Sequence, residues 1–582
     1  MPYCHSELIS GVNQGDLFMK TTKQLSRGLC KVLISAFLFL FMTSANAQPS
    51  LPFTKGVNMI TWFETFQPGI PNLNKYDETD FAMLKSMGVE IVRLPVHFDL
   101  VMEPLNTGVI NELVLEKLDQ VCDWAEKYQI YLVIDNHSFN SEEWDNNPPT
   151  AKLYKENLEA VWSQIAPRYK SRSEYIIYEI MNEPKAQGEI PAKWIKIQQD
   201  IIDFIRTYDT KHTIVVSGAD HSSPDALIKM KPYKDPNLIY TCHFYDPMLF
   251  THQGATWIGG GFSETTGIPF PYDKSRMPNL SSSAKNNSWL VEMYNHYSQI
   301  GSEKYINERI KKIGDWAKKN KVRVWAGEMG TNYLTASSDR IAWLNTVTSA
   351  LKENNIPYCS WGIDGSSGFL KFGSRESFPE DIEEEILRAY GFSMPDESIA
   401  KARYKYFPQK PYIVYDGLAG DGTIIGWRYN TTLVKADDTH QYCEKTESLK
   451  DGGLTLKLPV SIISKVAEYH NNLVLSFSVK FADKNQTFTV SLRDTDGGSE
   501  LPPWSNAEFI KASDYKIGEW VTVDVPLSKM NEEPGWSDKE QKQFSPQGKF
   551  DWNRVESIYF NFWHETDQKG DIYIDDVVIK RK

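Results

Sequence analysis

Between about residues 53 and 391 the chain alternates short apolar runs with longer stretches whose apolar positions recur every three or four residues. The short runs cover 56–60, 90–96, 130–136, 175–181, 213–217, 238–243, 322–327 and 358–361. The longer stretches include 111–128, 150–169, 191–208, 302–319 and 337–352. In the first of these, Leu113, Leu115, Leu118, Val121, Cys122 and Ala125 fall on one helical face. Eight strand–helix repeats predict an α/β domain, a closed (β/α)8 TIM barrel. An open doubly wound sheet is disfavoured, because no glycine-rich phosphate loop follows the first run. The connection at 244–301 is unusually long. It carries Tyr245, Phe250, Trp257, Phe262, Phe270, Tyr272, Trp289, Tyr294 and Tyr297, and is expected to form part of a wall at the active face.

Past residue 400 the helical period gives way to short alternating strands at 454–458, 473–481, 488–493, 520–526, 557–563 and 571–580. Phe477, Val479 and Phe481 alternate with Ser476, Ser478 and Lys480, the pattern of a half-buried strand. This predicts an all-β, jelly-roll-like sandwich. The organisation is then 1–47 as extension and signal, 48–400 as barrel, 401–411 as linker and 412–582 as sandwich. The join is polar and proline-flanked without being low-complexity, which predicts packed rather than tethered domains.

Ahead of the barrel, Lys20, Lys23, Arg27 and Lys31 precede an uncharged run from 32 to 47 that closes on Ala45-Asn46-Ala47. This predicts a secretory signal starting at Met19 and removed near Ala47, so that the protein is secreted or periplasmic. No later segment is apolar enough to span a membrane. No cysteine follows the apolar core to take a lipid. Among Cys122, Cys242, Cys359 and Cys443 there is no metal-type spacing, so buried free thiols are expected, with a disulfide permitted but not indicated. The net charge of −13, without a basic patch, excludes a nucleic-acid partner and disfavours a polyanionic substrate. Aromatic content of 13% fits a neutral sugar polymer, since aromatic faces pack on the C–H faces of sugar rings. Nothing in the pattern bears on oligomeric state.

Two strings carry chemistry: Asn182-Glu183-Pro184 and Gly327-Glu328-Met329. Each sets a glutamate at the C-terminal end of a predicted barrel strand, where barrel enzymes keep their reacting groups. By strand parity Glu183 shares a face with Glu179 and Met181, and Glu328 with Val322, Val324 and Ala326. Two facing carboxyls suit double-displacement hydrolysis of a glycoside. Glu183 is then acid/base and Glu328 nucleophile, and Glu183 is held protonated by like-charge repulsion from Glu328. The alternative for either one is a surface glutamate.

Six strings occur in order at the ends of different strands: Arg93-Leu94-Pro95, Ile134-Asp135-Asn136-His137, Asn182-Glu183-Pro184, His243-Phe244-Tyr245, Gly327-Glu328-Met329-Gly330 and Ser360-Trp361-Gly362. The set resembles glycoside hydrolase family 5, the retaining cellulase-type family, over about residues 51–391. Phe250-Thr251-His252-Gln253-Gly254-Ala255-Thr256-Trp257 resembles a segment of its endoglucanase-like members. The resemblance implies that Arg93 and Tyr245 hold the charge and orientation of Glu328 and that Asn182 binds the sugar 2-hydroxyl. It implies that His137 and His243 hydrogen-bond substrate or carboxylate, and that Trp361 stacks under a sugar ring. It implies no cofactor. Arg93 is equally placed to be a buried partner of Glu179, and Trp361 to be core. A zinc set of Asp135, His137 and His243 is the metal-dependent alternative, although no His-x-His is present. His97 is left as a possible cleft residue.

The C-terminal domain resembles a carbohydrate-binding module, most of all in 571–579. Its aromatics Trp427, Tyr429, Trp504, Trp520, Trp536, Trp552 and Trp563 are expected to be exposed as a second sugar site, the alternative being a brace for the barrel. Asp575 and Asp576 are a weak calcium candidate. The whole is expected to be an endo-β-1,4-glucanase of retaining mechanism acting on a β-glucan polysaccharide. The alternatives are xyloglucan, mannan or mixed-linkage glucan as substrate, or a non-catalytic glycan-binding protein.

Overall fold

The computed structural model describes residues 49–582, apart from 66–67, 141–146, 374–375, 418–419, 421–422, 441, 447–449, 546–549 and 564–567. The expected signal and its cleavage point lie outside the described residues. No described helix is long and apolar enough to cross a membrane.

Among the described residues eight parallel strands close a barrel in sequence order: β1 Lys55–Asn58, β2 Ile91–Val96, β3 Tyr131–Asn136, β4 Ile176–Glu179, β5 Thr213–Ser217, β6 Leu238–Phe244, β7 Arg323–Met329 and β8 Tyr358–Ser360. Outer helices include α1 Glu78–Ser86, α2 Glu112–Tyr128, α3 Ala151–Tyr169, α4 Ile190–Arg206, α5 Pro224–Lys229, α6 Ser288–Ile300, α7 Glu303–Asn320 and α8 Ser337–Glu353. The starts of α2 and α3 are fixed by Asn111 and Thr150, whose side chains accept from the backbone N–H of Leu113 and Leu153.

The barrel floor is an apolar layer of Phe53, Ile91, Val133, Ile177, Val215, Ile239, Trp325 and Cys359. Two residues further along their strands the same parity brings in Arg93, Asp135 and Glu179, all buried. The barrel interior thus turns from hydrocarbon to charge within one pleat repeat, toward the strand C-termini. All four described cysteines are buried free thiols.

The long connection after β6 is only partly a wall. Phe250, Phe262, Phe270 and Tyr297 are buried, whereas Trp257 and Trp289 are exposed, and its last third is helix α6.

Two helices, α9 Glu384–Ala389 and α10 Glu397–Arg403, lead out of the barrel. The segment expected as linker therefore begins inside a helix. Arg403 is pinned to Asp77 and Asp80 of the barrel at 2.7 and 2.9 Å.

The sandwich strands are β9 Tyr412–Tyr415, β10 Ile424–Tyr429, β11 Thr431–Val434, β12 Cys443–Thr446, β13 Asp451–Lys457, β14 Leu473–Phe481, β15 Thr487–Asp494, β16 Trp504–Lys511, β17 Trp520–Pro526, β18 Asn531–Ser537, β19 Lys542–Phe544, β20 Val555–Trp563 and β21 Ile572–Arg581. One sheet runs β11-β12-β21-β14-β17, with β9 beside β21, and the other β10-β13-β20-β15-β16-β18-β19. Phe477, Val479 and Phe481 are buried between the sheets as their alternation predicts. A helix, α11 Val460–Tyr469, interrupts the expected all-strand texture.

The domains pack directly. Asn72, in the loop after β1, pairs its side-chain amide with the backbone N–H and C=O of Ile425 on edge strand β10, at 3.3 and 3.5 Å. Arg428 donates to the Ile70 carbonyl at 3.2 Å. Lys465 of α11 donates to the Tyr404 carbonyl at 2.7 Å.

Candidate active site

Glu183 and Glu328 meet at the C-terminal mouth of the barrel, with an oxygen of each within 4.8 Å of the other and of a ring nitrogen of His243. Neither arrives by the parity expected from sequence. Strand β4 ends at Glu179, and Glu183 follows in a left-handed backbone with φ of 27°. Met181, expected on the site face, is packed in the outer core instead. On β7, Val324 and Ala326 face the helices. A bulge at Gly327 then shifts the register, so that Cys242 pairs with Ala326 but His243 with Glu328. The extra residue turns Glu328 inward. Gly327 leaves room for this: a Cβ there would sit 2.7 Å from the Thr241 hydroxyl. Asn58 ties the bulge down, donating to the carbonyls of Gly327 at 3.0 Å and Ser360 at 2.9 Å.

Arg93 is the hub. Its guanidinium forks onto Glu179 at 2.7 and 3.0 Å and meets Asp135 at 3.0 Å. It also donates to Glu328 at 2.8 Å, to Asn182 at 2.9 Å and to Asn58 at 3.1 Å. Both sequence readings of Arg93 hold together: it pairs Glu179 and it clamps Glu328. Tyr245 donates its hydroxyl to the other oxygen of Glu328 at 2.9 Å. His243 Nδ1 lies 2.7 Å from Glu183 and 3.4 Å from Glu328. His137 is bound to Asp135 at 2.6 Å and stacks between His97 at 5.6 Å and Trp361 at 5.8 Å. Trp361 is half-buried, so it is not plain core.

The electrostatics depart from the expected repulsion. Burial raises the Glu183 carboxyl, but the imidazoles of His221, at 3.7 Å, and of His243, hydrogen-bonded at 2.7 Å, outweigh it and hold the group well below the usual carboxylate range. Burial lifts Glu328 above its ordinary value, against the pull of His243 and Arg93. Burial opposes charge on His243, yet Glu328 and Glu183 raise its proton affinity above the ordinary imidazole value. The three groups are thus coupled: the two carboxyls favour charge on His243, and His243 in turn favours charge on Glu183. His137, by contrast, is driven by burial down to about 3 and stays neutral. Burial pushes Asp135 up to about 6 beside Arg93.

Asp135, His137 and His243 do not converge as a zinc set. The ligand-like groupings here are Glu64 with His97 and His137, and Glu183 with His243 and Glu328. The second has the Arg93 cation 2.8 Å from Glu328, which repels a metal ion.

One neighbour escaped the sequence reading. His221 Nδ1 lies 3.7 Å from the second oxygen of Glu183. It sits in the loop after β5, where Asp220, His221 and Ser222 are consecutively left-handed with φ of 63°, 53° and 52°. Such a backbone costs an L-residue about 1–2 kcal/mol each. The available signal was a histidine four residues past a barrel strand, on the face where loops carry function.

A closed parallel barrel with two glutamates at its mouth, one gripped by an arginine and a tyrosine and the other by imidazoles, defines a barrel glycosidase. Residues 53–367 match the family model "Cellulase (glycosyl hydrolase family 5)", and the chain belongs to that family. Residues 453–581 match "Carbohydrate binding domain 30". Endoglucanase 3 of Fibrobacter succinogenes is similar, 31% identical over 55% of this chain, which spans 50% of that protein's length. Endoglucanase C of Acetivibrio thermocellus is 25% identical over 53% of this chain and 90% of its own length. Of solved structures, endoglucanase Cel5A from Thermotoga maritima is 26% identical, with a TM-score of 0.47 over 58% of this chain and 96% of that one.

The aromatics expected to be exposed in the sandwich divide. Trp427, Tyr429, Trp536 and Trp563 are exposed. Trp504 is buried, because its side chain falls on the inner face of β16. Trp520 and Trp552 are covered by stacking on His440 at 3.8 Å and His470 at 4.5 Å. Trp427, Tyr429 and Trp563 form a row of near-parallel rings, with centroids 5.3 and 6.2 Å apart and ring planes 12° and 19° apart. His440 is paired with Asp575 at 2.9 Å, and His440, Asp575 and Asp576 lie at a spacing that could hold a metal ion.

Proposed function

We propose that this protein is a secreted or periplasmic endo-β-1,4-glucanase that cleaves internal bonds of a β-glucan chain with retention of configuration. The observation that carries the reading is the approach of Glu183 and Glu328 to within 4.8 Å, the short spacing that suits a nucleophile rather than an interposed water. The named endoglucanase relatives support the substrate class.

Glu328, kept anionic by Arg93 and Tyr245, attacks the anomeric carbon. Glu183 gives its proton to the glycosidic oxygen as the bond to the leaving chain breaks. Water then loses a proton to Glu183 and attacks the same carbon, and Glu328 departs as carboxylate. His243 Nδ1, 2.7 Å from Glu183, is placed to hold and return the proton that Glu183 needs. Moving it onto Glu183 leaves the net charge unchanged, and entry of sugar favours this by expelling the water that stabilises separated charges. Asn182, oriented by Arg93, presents its amide to the sugar. The exposed Trp427–Tyr429–Trp563 row offers aromatic surface to further glucose rings.

Glu328→Gln is expected to abolish hydrolysis while thermal unfolding is unchanged; retained activity removes the nucleophile assignment. Proton NMR of the first-formed product should show the β-anomer, and an α-product sinks the double displacement. A panel of cellulose, xyloglucan, mannan and mixed-linkage glucan with product sizing tests the backbone preference.

A further inference from the structure

We propose that His221 is a second positioning residue for the Glu183 carboxyl, holding the oxygen that His243 leaves and governing when that carboxyl carries its proton. The proposal rests on the reading of Glu183 as acid/base.

The two oxygens of Glu183 face different imidazoles: Oε1 has His243 at 2.7 Å and Oε2 has His221 at 3.7 Å. The mechanism above uses only the first. His221 is also tied to the same corner through its backbone, since its N–H donates to the carbonyl of Pro184, next to Glu183, at 3.1 Å. That bond ties the His221 backbone to the segment that carries Glu183. The turn that delivers it is braced on both sides. Gly218 lies against α5 so closely that a Cβ would come 2.8 Å from the Ala226 carbonyl carbon. Ser223 caps α5 by accepting from the Ala226 N–H at 3.2 Å, and its own N–H donates to Asp220 at 3.0 Å. Three left-handed residues in a row persist only where the surroundings over-determine them. Here the conformation places a half-buried, titratable ring 3.7 Å from the half-buried Glu183 carboxylate.

Glu328 approaches Glu183 from β7 with His243 between them. Arg93 and Asp135 lie below from β2 and β3. Tyr245, His252 and Tyr154 feel its charge from the β6 loop and α3. His243, at 2.7 Å, and His221, at 3.7 Å, bring ionisable nitrogens to the two oxygens of the carboxyl. A protonated His221 stabilises the carboxylate, which lowers the pH at which Glu183 ceases to be an acid.

The test is His221→Asn, because asparagine tolerates the left-handed backbone and does not titrate. The pH profile of kcat/KM is measured on cellotetraose, whose leaving alcohol needs a proton, and on dinitrophenyl β-cellobioside, whose leaving phenolate does not. The expected result on cellotetraose is an alkaline limb moved to higher pH and a loss of roughly three- to tenfold at the wild-type optimum, part of the general-acid effect. On the dinitrophenyl substrate glycosylation stays within about twofold. An unchanged limb, or an equal loss on both substrates with no shift, overturns the proposal and leaves His221 as a loop residue. Glu183→Ala is run in parallel with azide. If it cleaves the dinitrophenyl substrate and azide yields a β-glycosyl azide, the acid/base reading stands whatever His221 does. If not, that reading itself has failed.

Discussion

Replacing Arg93 by methionine removes one cation from among three carboxylates, Asp135, Glu179 and Glu328, at 3.0, 2.7 and 2.8 Å. The side chain is fully buried, so water does not take its place. Taking away one partner of a buried pair costs about 3–5 kcal/mol, a large part of a typical total of about 5–15 kcal/mol. The cost should depend on pH. Asp135 already sits at about 6 with Arg93 in place, and without it Asp135 and Glu179 rise further. A carboxyl held above its unfolded value contributes stability below the unfolded pKa and loses it as pH rises through the folded one. The deficit of Arg93→Met should therefore be widest near neutrality and narrow as pH falls through about 6, where Asp135 takes up its proton. Scanning calorimetry of the barrel transition reads this as a fall in Tm of upward of about 5 °C at pH of about 8, shrinking at pH of about 5. A depression equal at both pH values, or under about 1 kcal/mol, refutes the reasoning.

Gly327→Ala puts a Cβ 2.7 Å from the Thr241 hydroxyl and should cost at least about tenfold in kcat; the double variant with Thr241→Ala should recover most of it, and wild-type kcat in the single variant means the bulge does not aim Glu328. Burial pushes Asp80 up to about 7 in spite of Arg403, so its contribution to stability is whole below about 4 and lost as pH rises through about 7. Asp80→Asn should flatten the decline of Tm between about pH 6 and 8, and an unaltered slope counts against it. Trp427→Ala with Trp563→Ala should abolish retardation of the full chain in a glucan-containing gel while leaving cellotetraose hydrolysis within about twofold; retardation that persists assigns the sandwich to bracing.

The barrel was legible because each strand is a short apolar run whose interior positions also supply the floor, as Ile91, Val133, Ile177 and Val215 do. Arg93, Asp135 and Glu179 follow by parity two residues on. The glutamates themselves were found by motif, and their geometry was not foreseeable: one lies beyond the end of β4 and the other beyond a bulge, and neither event leaves a periodic trace. The reversed electrostatics of Glu183 arise from His221, in the loop after β5, and His243, on strand β6. In the sandwich, β10 to β12 were missed because Gly426, Thr431, Thr432 and Glu444 break the alternation. Trp504 was misjudged because one tryptophan in a short strand does not reveal which sheet face is inner.

The pairing of Asn72 with Ile425 has a further consequence. Strand β10 ends its sheet, and an uncovered terminal strand offers its backbone to any passing chain. The barrel loop fills that role inside the molecule. Severed from the barrel, the sandwich would bare this edge beside the exposed rings of Trp427 and Tyr429, and should stick to itself. The catalytic domain thus acts as a built-in chaperone for its companion, and a transplanted sandwich needs a new guard for the same strand.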